Sequence, residues 1–517
     1  MLVGEGTHWT FPELIRARAA ATPNRVMFTD DRERSITYGE YRDACTAMAQ
    51  RLLEQGVARG DRVVWQLPTR IETAVLMGGL SQLGAVQIPL MPQYRARELK
   101  TVFRQVRPSL ILVAAGADTS EIEEAHREIG IEAEVIALEE LPEASGASGE
   151  VSDAPSHSPD SPSWVIYTSG TTAEPKGAQH SDRTLISGAA AMIDSSGIIE
   201  TDVQLLAFPF AHVGGMLNTA VLLHTGGRML MIERFEPETH IPMVGEKGVT
   251  LLGSGPAFHQ MYVDAQRAMP ERRLFPHARM AYGGGAACSP QLAADIESVL
   301  GLPVVLSYGM SECAMVAGHD PADSREMRTR SVGRPVPTAD VVIVTADGSR
   351  AAVGEEGSVH VRAPHLFLGY LDEDLNEEAF DDEGYFVTGD RGYIDEQGYL
   401  FLTGRDKDII IRKGENISAQ EVERIIATHP SVAGVALIGL PDVVRGEMAC
   451  AVMVAQPGAE RLTMKELQDW LAKSGLARYK WPERIEYVNE LPLISLGKVA
   501  KRELKAALAE ADEATAR

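Results

Sequence analysis

The stretch YTSGTTAEPKG, residues 167–177, is rich in small hydroxyl side chains and ends in a lysine and a glycine. It follows the apolar run 164–166, which is typical of a buried strand, and it precedes a segment expected to be helical. A loop between a strand and a helix presents backbone N–H groups, and with hydroxyls and a lysine it can bind phosphate. The spacing is not that of G-x-x-x-x-G-K-[ST], so an ordinary polar turn stays open from this stretch alone.

Helical and strand-like segments alternate on both sides of this loop. A capping-box pattern at Thr37 and Glu40 begins a helix that we expect to stop at Gly56. The next predicted segments are strand 63–65, helix 72–82, strand 85–90, helix 97–106 and strand 110–114. The alternation predicts doubly wound, mainly parallel sheets with helices on both faces. It resumes at residue 164, after an irregular loop at 143–163, and continues to about residue 320.

The pattern changes twice towards the C-terminus. Short alternating strands with turn dipeptides between 341 and 361 predict a small antiparallel or barrel-like β subdomain. After residue 404, helix 421–427, strands 435–438 and 449–454 and helix 464–472 predict a compact α+β unit. Because 517 residues exceed one compact domain, we expect an α/β protein with domains at 1–403 and 404–517.

Composition bounds the class of protein and its partners. Apolar residues make up 44% of the chain and charged residues 24%, as in globular proteins. The net charge of -24 argues against nucleic acid or an anionic membrane as the main partner. The apolar runs 74–91 and 203–232 are interrupted by glycine and polar residues, so they predict buried helix–strand pairs and no membrane span. Four cysteines without metal-type spacing and an N-terminus unlike a signal peptide predict reduced thiols and a cytoplasmic location.

Further motifs follow the loop in order. They are FPFAH (208–212), YGGGA (282–286), SYGMSE (307–312), YFVTGD (385–390), GRDKD (404–408), KGENI (413–417) and GKV (497–499). Together with the loop they resemble the adenylate-forming superfamily of acyl-CoA synthetases, adenylation domains and beetle luciferase. The resemblance extends from about residue 10 to residue 505.

The resemblance implies a two-step reaction that uses ATP, Mg²⁺ and coenzyme A. A small-molecule carboxylate attacks the α-phosphate of ATP and gives an acyl-adenylate and pyrophosphate. The thiol of coenzyme A then attacks the acyl-adenylate and gives a thioester and AMP. Two anions meet in the first step, so the site needs cations and N–H donors.

The resemblance also implies the residues that bind the nucleotide. The residues expected to bind phosphate are Thr168, Ser169, Gly170, Thr171, Thr172 and Lys176. The residues expected to bind adenine are Tyr308 and its neighbours Ser307, Gly309, Met310 and Ser311, together with Gly283, Gly284 and Gly285. Asp390 is expected to bind the ribose, and Arg405 the ribose or a phosphate. Glu312, helped by Thr168, is expected to bind Mg²⁺.

Four positions are expected to carry the two half-reactions. Lys498 would bridge the substrate carboxylate and the α-phosphate during adenylation. Lys407 is the expected hinge about which a mobile C-terminal domain rotates, bringing Lys413 and Gly414 to the pantetheine tunnel. His212 would gate the acyl and thiol sites. The alternative is that His212 is an ordinary core residue. Departures from the family pattern at Ala173, Lys413 and Leu496 remove no group that makes or breaks a bond.

Substrate and acceptor are less constrained. The acyl pocket is expected from 213–217, 253–256, 283–288 and 310–316, with the adaptable side chains of Met216, Met310 and Met315. No aspartate near 211–212 is present to pair with an amino group, which favours a neutral medium-chain, alicyclic, steroid-derived or aromatic acid. Arg478, Tyr479 and Lys480 are candidates for contacts with coenzyme A phosphates, with an exposed turn as the alternative.

Other functions stay open. The chain ends at Arg517 without a carrier module, which favours free coenzyme A over a separate carrier protein. A luciferase-like oxygenase is a rarer use of the fold. A non-catalytic acyl- or nucleotide-binding relative is expected to lack Lys498, Glu312 or Asp390, and all three are present. The assembly state is open, with a homodimer as one option.

Overall fold

The structure is a computed structural model that describes residues 10–138, 158–168, 175–285, 288–405, 409–412, 415–442, 446–474, 476–494 and 498–515. Its strands in chain order are β1 (Val26–Asp30), β2 (Ser35–Thr37), β3 (Arg62–Gln66), β4 (Val86–Pro89), β5 (Leu110–Ala114), β6 (Glu134–Leu138), β7 (Pro162–Thr168), β8 (Lys176–Ser181), β9 (Val203–Leu206), β10 (Arg228–Met231), β11 (Leu251–Leu252), β12 (Met280–Gly284), β13 (Val304–Tyr308), β14 (Ala317–Gly318), β15 (Arg334–Pro335), β16 (Asp340–Val344), β17 (Gly357–Arg362), β18 (Gly369–Tyr370), β19 (Phe386–Ile394), β20 (Leu400–Arg405), β21 (Ile409–Arg412), β22 (Glu415–Ser418), β23 (Val432–Asp442), β24 (Gly446–Ala455), β25 (Arg484–Tyr487), β26 (Leu493–Ile494) and β27 (Lys498–Val499).

The α-helices in chain order are α1 (Phe11–Ala21), α2 (Tyr38–Glu54), α3 (Ile71–Leu83), α4 (Ala96–Val106), α5 (Ser120–Ile129), α6 (Asp182–Ser196), α7 (Val213–Thr225), α8 (Pro237–Glu246), α9 (Pro256–Ala268), α10 (Pro290–Asp295), α11 (Arg325–Arg330), α12 (Asn376–Ala379), α13 (Ala419–Ile426), α14 (Met464–Lys473) and α15 (Lys501–Thr515). The predicted capping box is confirmed: the Thr37 hydroxyl accepts from Glu40 N, and the Glu40 carboxylate accepts from Thr37 N. These bonds satisfy two N–H groups at the start of α2, which is why the helix begins there.

Two large, mainly parallel sheets form the bulk of the chain, as the alternating pattern predicts. One has the strand order β15-β14-β13-β12-β11-β9-β10-β1-β2 and the other β18-β8-β7-β4-β3-β5-β6. The inner strands of both are parallel, and antiparallel strands lie at the edges. This arrangement confirms the predicted doubly wound α/β class.

Helices cover both faces of the nine-stranded sheet, as the side-chain alternation of its strands shows. Leu251 and Met280 belong to the large core that also contains α1, α2, α3, α6 and α7 and the strands of the other sheet. Their neighbours Leu252 and Ala281 belong to a second core with α8, α9 and α10. Successive residues of a strand point to opposite faces, so each strand of this sheet contributes to two cores.

The long apolar runs are buried elements, as predicted. The first contains α3 and β4, and nearly every residue of α3 is buried on all sides. The second contains β9, α7 and β10. In the described parts of the chain no helix is both long and apolar enough to cross a bilayer. No disulfide joins the four cysteines, which all lie in the described ranges, and Cys45, Cys313 and Cys450 are buried.

The C-terminal part contains the two smaller units that the sequence predicts. The β subdomain is a four-stranded antiparallel sheet of order β16-β17-β19-β20. The α+β unit is built on strands β21 to β25, with α13 and α14 packed on one face and α15 on the other. β20 extends to Arg405, two residues past the predicted end of the first domain, and Lys407 lies outside the described residues.

One expectation about the opening loop is wrong. The segment after the loop is β8, which pairs antiparallel with β7, so a second strand and not a helix follows the loop. The pairing favours glycine at position 177, because a Cβ there would lie 2.9 Å from Val165 Cγ1 on the facing strand. The helix begins only at the capping box of Ser181 and Thr184. Residues 169–174, and most of the predicted loop 143–163, lie outside the described residues.

Candidate active site

The predicted nucleotide residues Tyr308, Asp390 and Arg405 meet at the junction of the large sheet and the β subdomain. The Tyr308 hydroxyl donates to Asp390 Oδ2 at 2.5 Å, and Arg405 Nε donates to Asp390 Oδ1 at 2.7 Å. Asp390 is 3% exposed, and its position opposite Arg405 follows from the pairing of β19 with β20. Burial and the neighbouring Asp390 carboxylate raise the pKa of Tyr308, so its hydroxyl stays protonated and remains a donor.

The two glycines at the end of β12, Gly283 and Gly284, are required by the protein's own packing. A Cβ on Gly283 would lie 2.6 Å from the Ser254 carbonyl oxygen, and one on Gly284 would lie 2.8 Å from the Ser307 carbonyl oxygen. Gly283 also has a φ of +155°, which is unfavourable for other residues. The Ser307 hydroxyl donates to the Gly283 carbonyl at 3.3 Å. Close contacts between the backbones therefore explain this glycine run before any ligand is considered.

Glu312 and Lys176 are brought together by a residue that the motif analysis did not single out. The Tyr370 hydroxyl donates to Glu312 Oε1 at 2.6 Å, and Lys176 Nζ lies 5.0 Å from the centroid of the Tyr370 ring. Thr168 lies directly opposite Lys176 in the β7–β8 hairpin. A predicted metal-binding carboxylate and a predicted phosphate-binding cation therefore share one aromatic neighbour.

These donors fit a magnesium ion that arrives with a nucleotide. Among the described residues there is no cluster of three His, Cys, Asp or Glu side chains that would form a protein metal cage. Magnesium in nucleotide sites is held by one or two carboxylates and the substrate phosphates. Glu312 offers a half-buried carboxylate, and no described side chain donates a hydrogen bond to its Oε2 atom.

The backbone around Glu312 is held by β8 and by the chain before β18. His180 Nε2 bonds the Ser311 carbonyl oxygen at 2.7 Å, and the Phe367 N–H donates to the Glu312 carbonyl at 2.7 Å. Burial lowers the pKa of His180 to about 4, so the ring is neutral. Neither His180 nor Tyr370 lies in one of the motifs identified from the sequence. The sequence alone does not indicate which distant residue a buried histidine or tyrosine will contact.

His212 caps helix α7 at the end of the FPFAH motif. Its Nδ1 atom accepts from the Gly214 N–H at 3.2 Å, and its ring packs edge-on against Phe208. Burial lowers the pKa of His212 to about 4. The ring is therefore neutral at neutral pH, and because Nδ1 accepts a hydrogen bond, its proton is on Nε2, which is a hydrogen-bond donor. This agrees with a gate and gives no support to acid–base chemistry.

Some of the remaining predicted residues lie outside the described residues, and the others belong to the C-terminal α+β unit. Ser169, Gly170, Thr171, Thr172, Lys407, Lys413 and Gly414 lie outside the described residues. Lys498 begins β27 and pairs with Ile494 in a two-stranded hairpin, whose Val499 packs on the core beneath α15. Lys480 donates to both carboxylate oxygens of Glu421, at 2.6 and 2.9 Å, so it is already paired. The exposed Arg478 and Tyr479 stay candidates for contacts with coenzyme A.

Two methionines of the predicted acyl pocket are part of the main core. Met216 is 0% exposed and Met315 is 1% exposed, and both pack within the core between the two large sheets. Met310 is partly buried against the β subdomain, where a tight turn joins it to Cys313. The Ser254 hydroxyl is buried without a hydrogen-bond partner among the described residues, and Ser254 has a φ of +108°.

The buried histidines predict a loss of stability in mild acid. Burial lowers the pKa of His180, His212, His224 and His259 to about 4, whereas an unfolded histidine titrates near about 6.5. Between these values the unfolded chain binds more protons, so the free energy of unfolding falls as the pH is lowered. We expect each histidine to remove about 1 kcal/mol between about pH 7 and 5.5.

Urea unfolding at the two pH values measures this effect. His224→Gln removes one titrating group away from the candidate site and should reduce the pH-dependent loss by about 1 kcal/mol. The interpretation is contradicted if the free energy of unfolding is the same at both pH values, or if the variant loses as much as the wild type.

Comparison with known proteins agrees with this geometry. Residues 15–371 match the AMP-binding enzyme family, and residues 421–498 match the AMP-binding enzyme C-terminal domain. The fold and the site thus define an α/β adenylate-forming enzyme. The chain belongs to the AMP-binding enzyme family, which confirms the resemblance drawn from the motifs.

Relatives in this family cover nearly the whole chain. The medium-chain fatty-acid–CoA ligase of Escherichia coli is 28% identical over 508 residues, covering 93% of this chain and 88% of the relative. A salicylyl-CoA synthase / salicylate adenylyltransferase of a Streptomyces species is 30% identical over 502 residues, covering 92% and 89%. The crystal structure of ATP-bound MatB from Rhodopseudomonas palustris aligns with a TM-score of 0.87 at 26% identity, over 96% of this chain and 99% of MatB.

Proposed function

We propose that this protein is an AMP-forming acyl-CoA synthetase that activates a neutral carboxylic acid with ATP and transfers it to coenzyme A. The observation that carries the proposal is the meeting of Tyr308, Asp390 and Arg405 at one place. Glu312, on the same motif segment as Tyr308, is linked through Tyr370 to Lys176. This arrangement offers a buried carboxylate for a ribose and a cation for phosphates. It also offers a carboxylate for a magnesium ion, whose charge would neutralise the phosphates.

In the proposed reaction each group has one task. Lys176 and the hydroxyls of Thr168, Ser169, Thr171 and Thr172 bind the β- and γ-phosphates and retain the departing pyrophosphate. Lys498 neutralises the substrate carboxylate and the α-phosphate as they approach. The Nε2–H of neutral His212 donates to the acyl carboxylate and keeps water from the acyl-adenylate.

A rotation of a C-terminal domain about Lys407 is part of the proposal. Two hydrogen bonds now join the chain on either side of residue 407. Arg424 donates to the Leu402 carbonyl at 2.6 Å, and the Ser418 hydroxyl donates to the Thr403 carbonyl. A large rotation would break both, so they favour the orientation described here.

The acceptor has a second candidate, a separate carrier protein. Lys480 is paired with Glu421, which removes one cation from the set considered for coenzyme A. The relative from Streptomyces, whose name includes both a CoA synthase and an adenylyltransferase activity, makes either outcome chemically reasonable for this family. The two candidates differ only in the second half-reaction.

A product screen by mass spectrometry tests the proposal. Purified protein is incubated with Mg²⁺, ATP and pooled medium-chain, alicyclic, steroid-derived and aromatic acids, with and without coenzyme A. We expect acyl-CoA only when coenzyme A is present, and its mass identifies the acid. An acyl-adenylate that persists after coenzyme A is added would instead support a carrier protein. AMP formation that requires no acid would contradict both.

A further inference from the structure

Tyr370 makes two interactions with residues of opposite charge from distant parts of the chain. Its hydroxyl donates to Glu312 Oε1 at 2.6 Å, and its ring faces the ammonium of Lys176 at 5.0 Å. A cation within about 6 Å of an aromatic centroid is attracted by the ring, and a hydrogen bond to a carboxylate is a strong one. One side chain therefore holds the anion and the cation that the proposed function assigns to magnesium and phosphate.

The Tyr370 side chain is itself rigidly placed. It is 5% exposed, and its ring packs edge-on against Phe367 with the centroids 4.9 Å apart. The backbone of β18 pairs with β8, which places Tyr370 opposite Ala178, two residues after Lys176. Asn376 accepts from the Tyr370 N–H at 2.7 Å and donates to its carbonyl at 3.1 Å. The ring thus moves with the strand that carries Lys176.

The hydroxyl is the donor in its contact with Glu312. It lies 2.6 Å from Oε1, and an ionised carboxylate oxygen only accepts hydrogen bonds. A protonated phenol that donates to Oε1 fixes the rotation of the Glu312 carboxylate and directs Oε2 elsewhere. The distance between a metal-binding oxygen and the Lys176 ammonium is then set by the tyrosine and not by two independent side-chain rotamers.

We propose that Tyr370 is a positioning residue that holds Glu312 and Lys176 at the spacing needed for the metal-bearing polyphosphate of a nucleoside triphosphate. The hydroxyl acts on the metal through Glu312, and the ring acts on the phosphates through Lys176. The proposal rests on the proposed function, because it takes Glu312 and Lys176 as the groups that meet Mg·ATP.

The two halves of this role are separable by substitution. Tyr370→Phe removes the hydroxyl and keeps the ring, whereas Tyr370→Leu removes both. Tyr399 is a matched control remote from Glu312 and Lys176. Its hydroxyl donates to Asp323 Oδ1 at 2.6 Å, and its ring lies 3.8 Å from the Arg334 guanidinium carbon. Tyr399→Phe therefore removes the same kind of hydrogen bond from a buried carboxylate elsewhere.

Calorimetric titration with Mg·ATP, and with ATP in excess EDTA, tests the proposal without turnover. We expect Tyr370→Phe to weaken Mg·ATP about tenfold and to leave the affinity for metal-free ATP unchanged. Tyr370→Leu should weaken both forms, and Tyr399→Phe neither. Because a positioning role acts through the carboxylate, Tyr370→Phe should add nothing to the loss already caused by Glu312→Gln.

Several outcomes would overturn the proposal. A role through Glu312 is contradicted if Tyr370→Phe binds Mg·ATP with the wild-type affinity. It is also contradicted if this variant loses the same affinity for Mg·ATP and for metal-free ATP. Tyr370→Leu that binds metal-free ATP like Tyr370→Phe contradicts the role through Lys176. Failure of the proposed function is distinct, since the wild-type protein itself would then not bind Mg·ATP. Thermal melting of each variant identifies any loss that comes from unfolding.

Discussion

Asp390→Asn is expected to lower kcat/KM for ATP by about 10²–10³-fold. Asp390 is 3% exposed and accepts from both Tyr308 and Arg405, so its charge is the centre of a buried group. The neutral amide leaves the guanidinium without this carboxylate. The Arg405 side chain is 34% exposed, so the loss of this pair costs less than the about 3–5 kcal/mol of a fully buried pair. The substitution also withdraws the charged acceptor that we assign to the ribose hydroxyls. The measurement is steady-state AMP formation at varied ATP.

The chain contains a matched control for this substitution. Asp323 is 8% exposed, accepts from the Tyr399 hydroxyl at 2.6 Å and pairs with Arg334 at 3.0 Å. Asp323→Asn breaks the same chemistry outside the site, so it should destabilise the fold comparably while kcat/KM stays within about threefold at a temperature where the protein is folded. Equal losses of kcat/KM in the two variants would show that Asp390 acts only through stability.

Lys498→Ala is expected to lower the adenylation rate by about 10²–10³-fold while thioester formation from added acyl-adenylate is largely retained. The first step brings two anions together and needs a cation between them, whereas thiol attack on a mixed anhydride does not. Lys498 begins β27 in a hairpin that packs on the C-terminal core through Val499.

Single-turnover assays of each half-reaction measure this separation. Lys501→Ala is the matched control, because Lys501 lies three residues away and pairs with Glu423 at 2.8 Å. It should leave both half-reactions within about threefold of the wild type. Lys498→Ala that slows both half-reactions equally, or neither, would remove Lys498 from the proposed adenylation step.

The local elements of the fold were predictable because their signals are local. Each signal is contained in a few neighbouring residues. This holds for the capping box at Thr37 and Glu40 and for the apolar patterns of β3, α3, β4, α4 and β5. The segment after the hydroxyl-rich loop that follows β7 was mispredicted for the opposite reason. Its extended form depends on pairing with β7 and β18, where Gly177 lies opposite Tyr167 and a Cβ would meet Val165. Tertiary pairing decided the structure there.

The same contrast between local signals and distant contacts applies to the candidate site. Motif order led to Tyr308, Asp390 and Arg405, which the structure brings together although Tyr308 is 82 residues from Asp390. Tyr370 was missed because its partners are 58 residues away at Glu312 and on another strand at Lys176. Lys480 was selected for its charge, and only the structure reveals that Glu421 already neutralises it. A side chain's chemistry is visible in sequence, but its partners are not.

The central claim is that a carboxylate oxygen attacks the α-phosphate of ATP. The most direct measurement uses a carboxylic acid found in the product screen, labelled with ¹⁸O in both carboxyl oxygens, with ATP, Mg²⁺ and coenzyme A. We expect one ¹⁸O atom in each AMP released, because the oxygen that bridges the acyl group and phosphorus stays with AMP when the thiol attacks. AMP without the label, or ADP and phosphate as products, would contradict the adenylate mechanism.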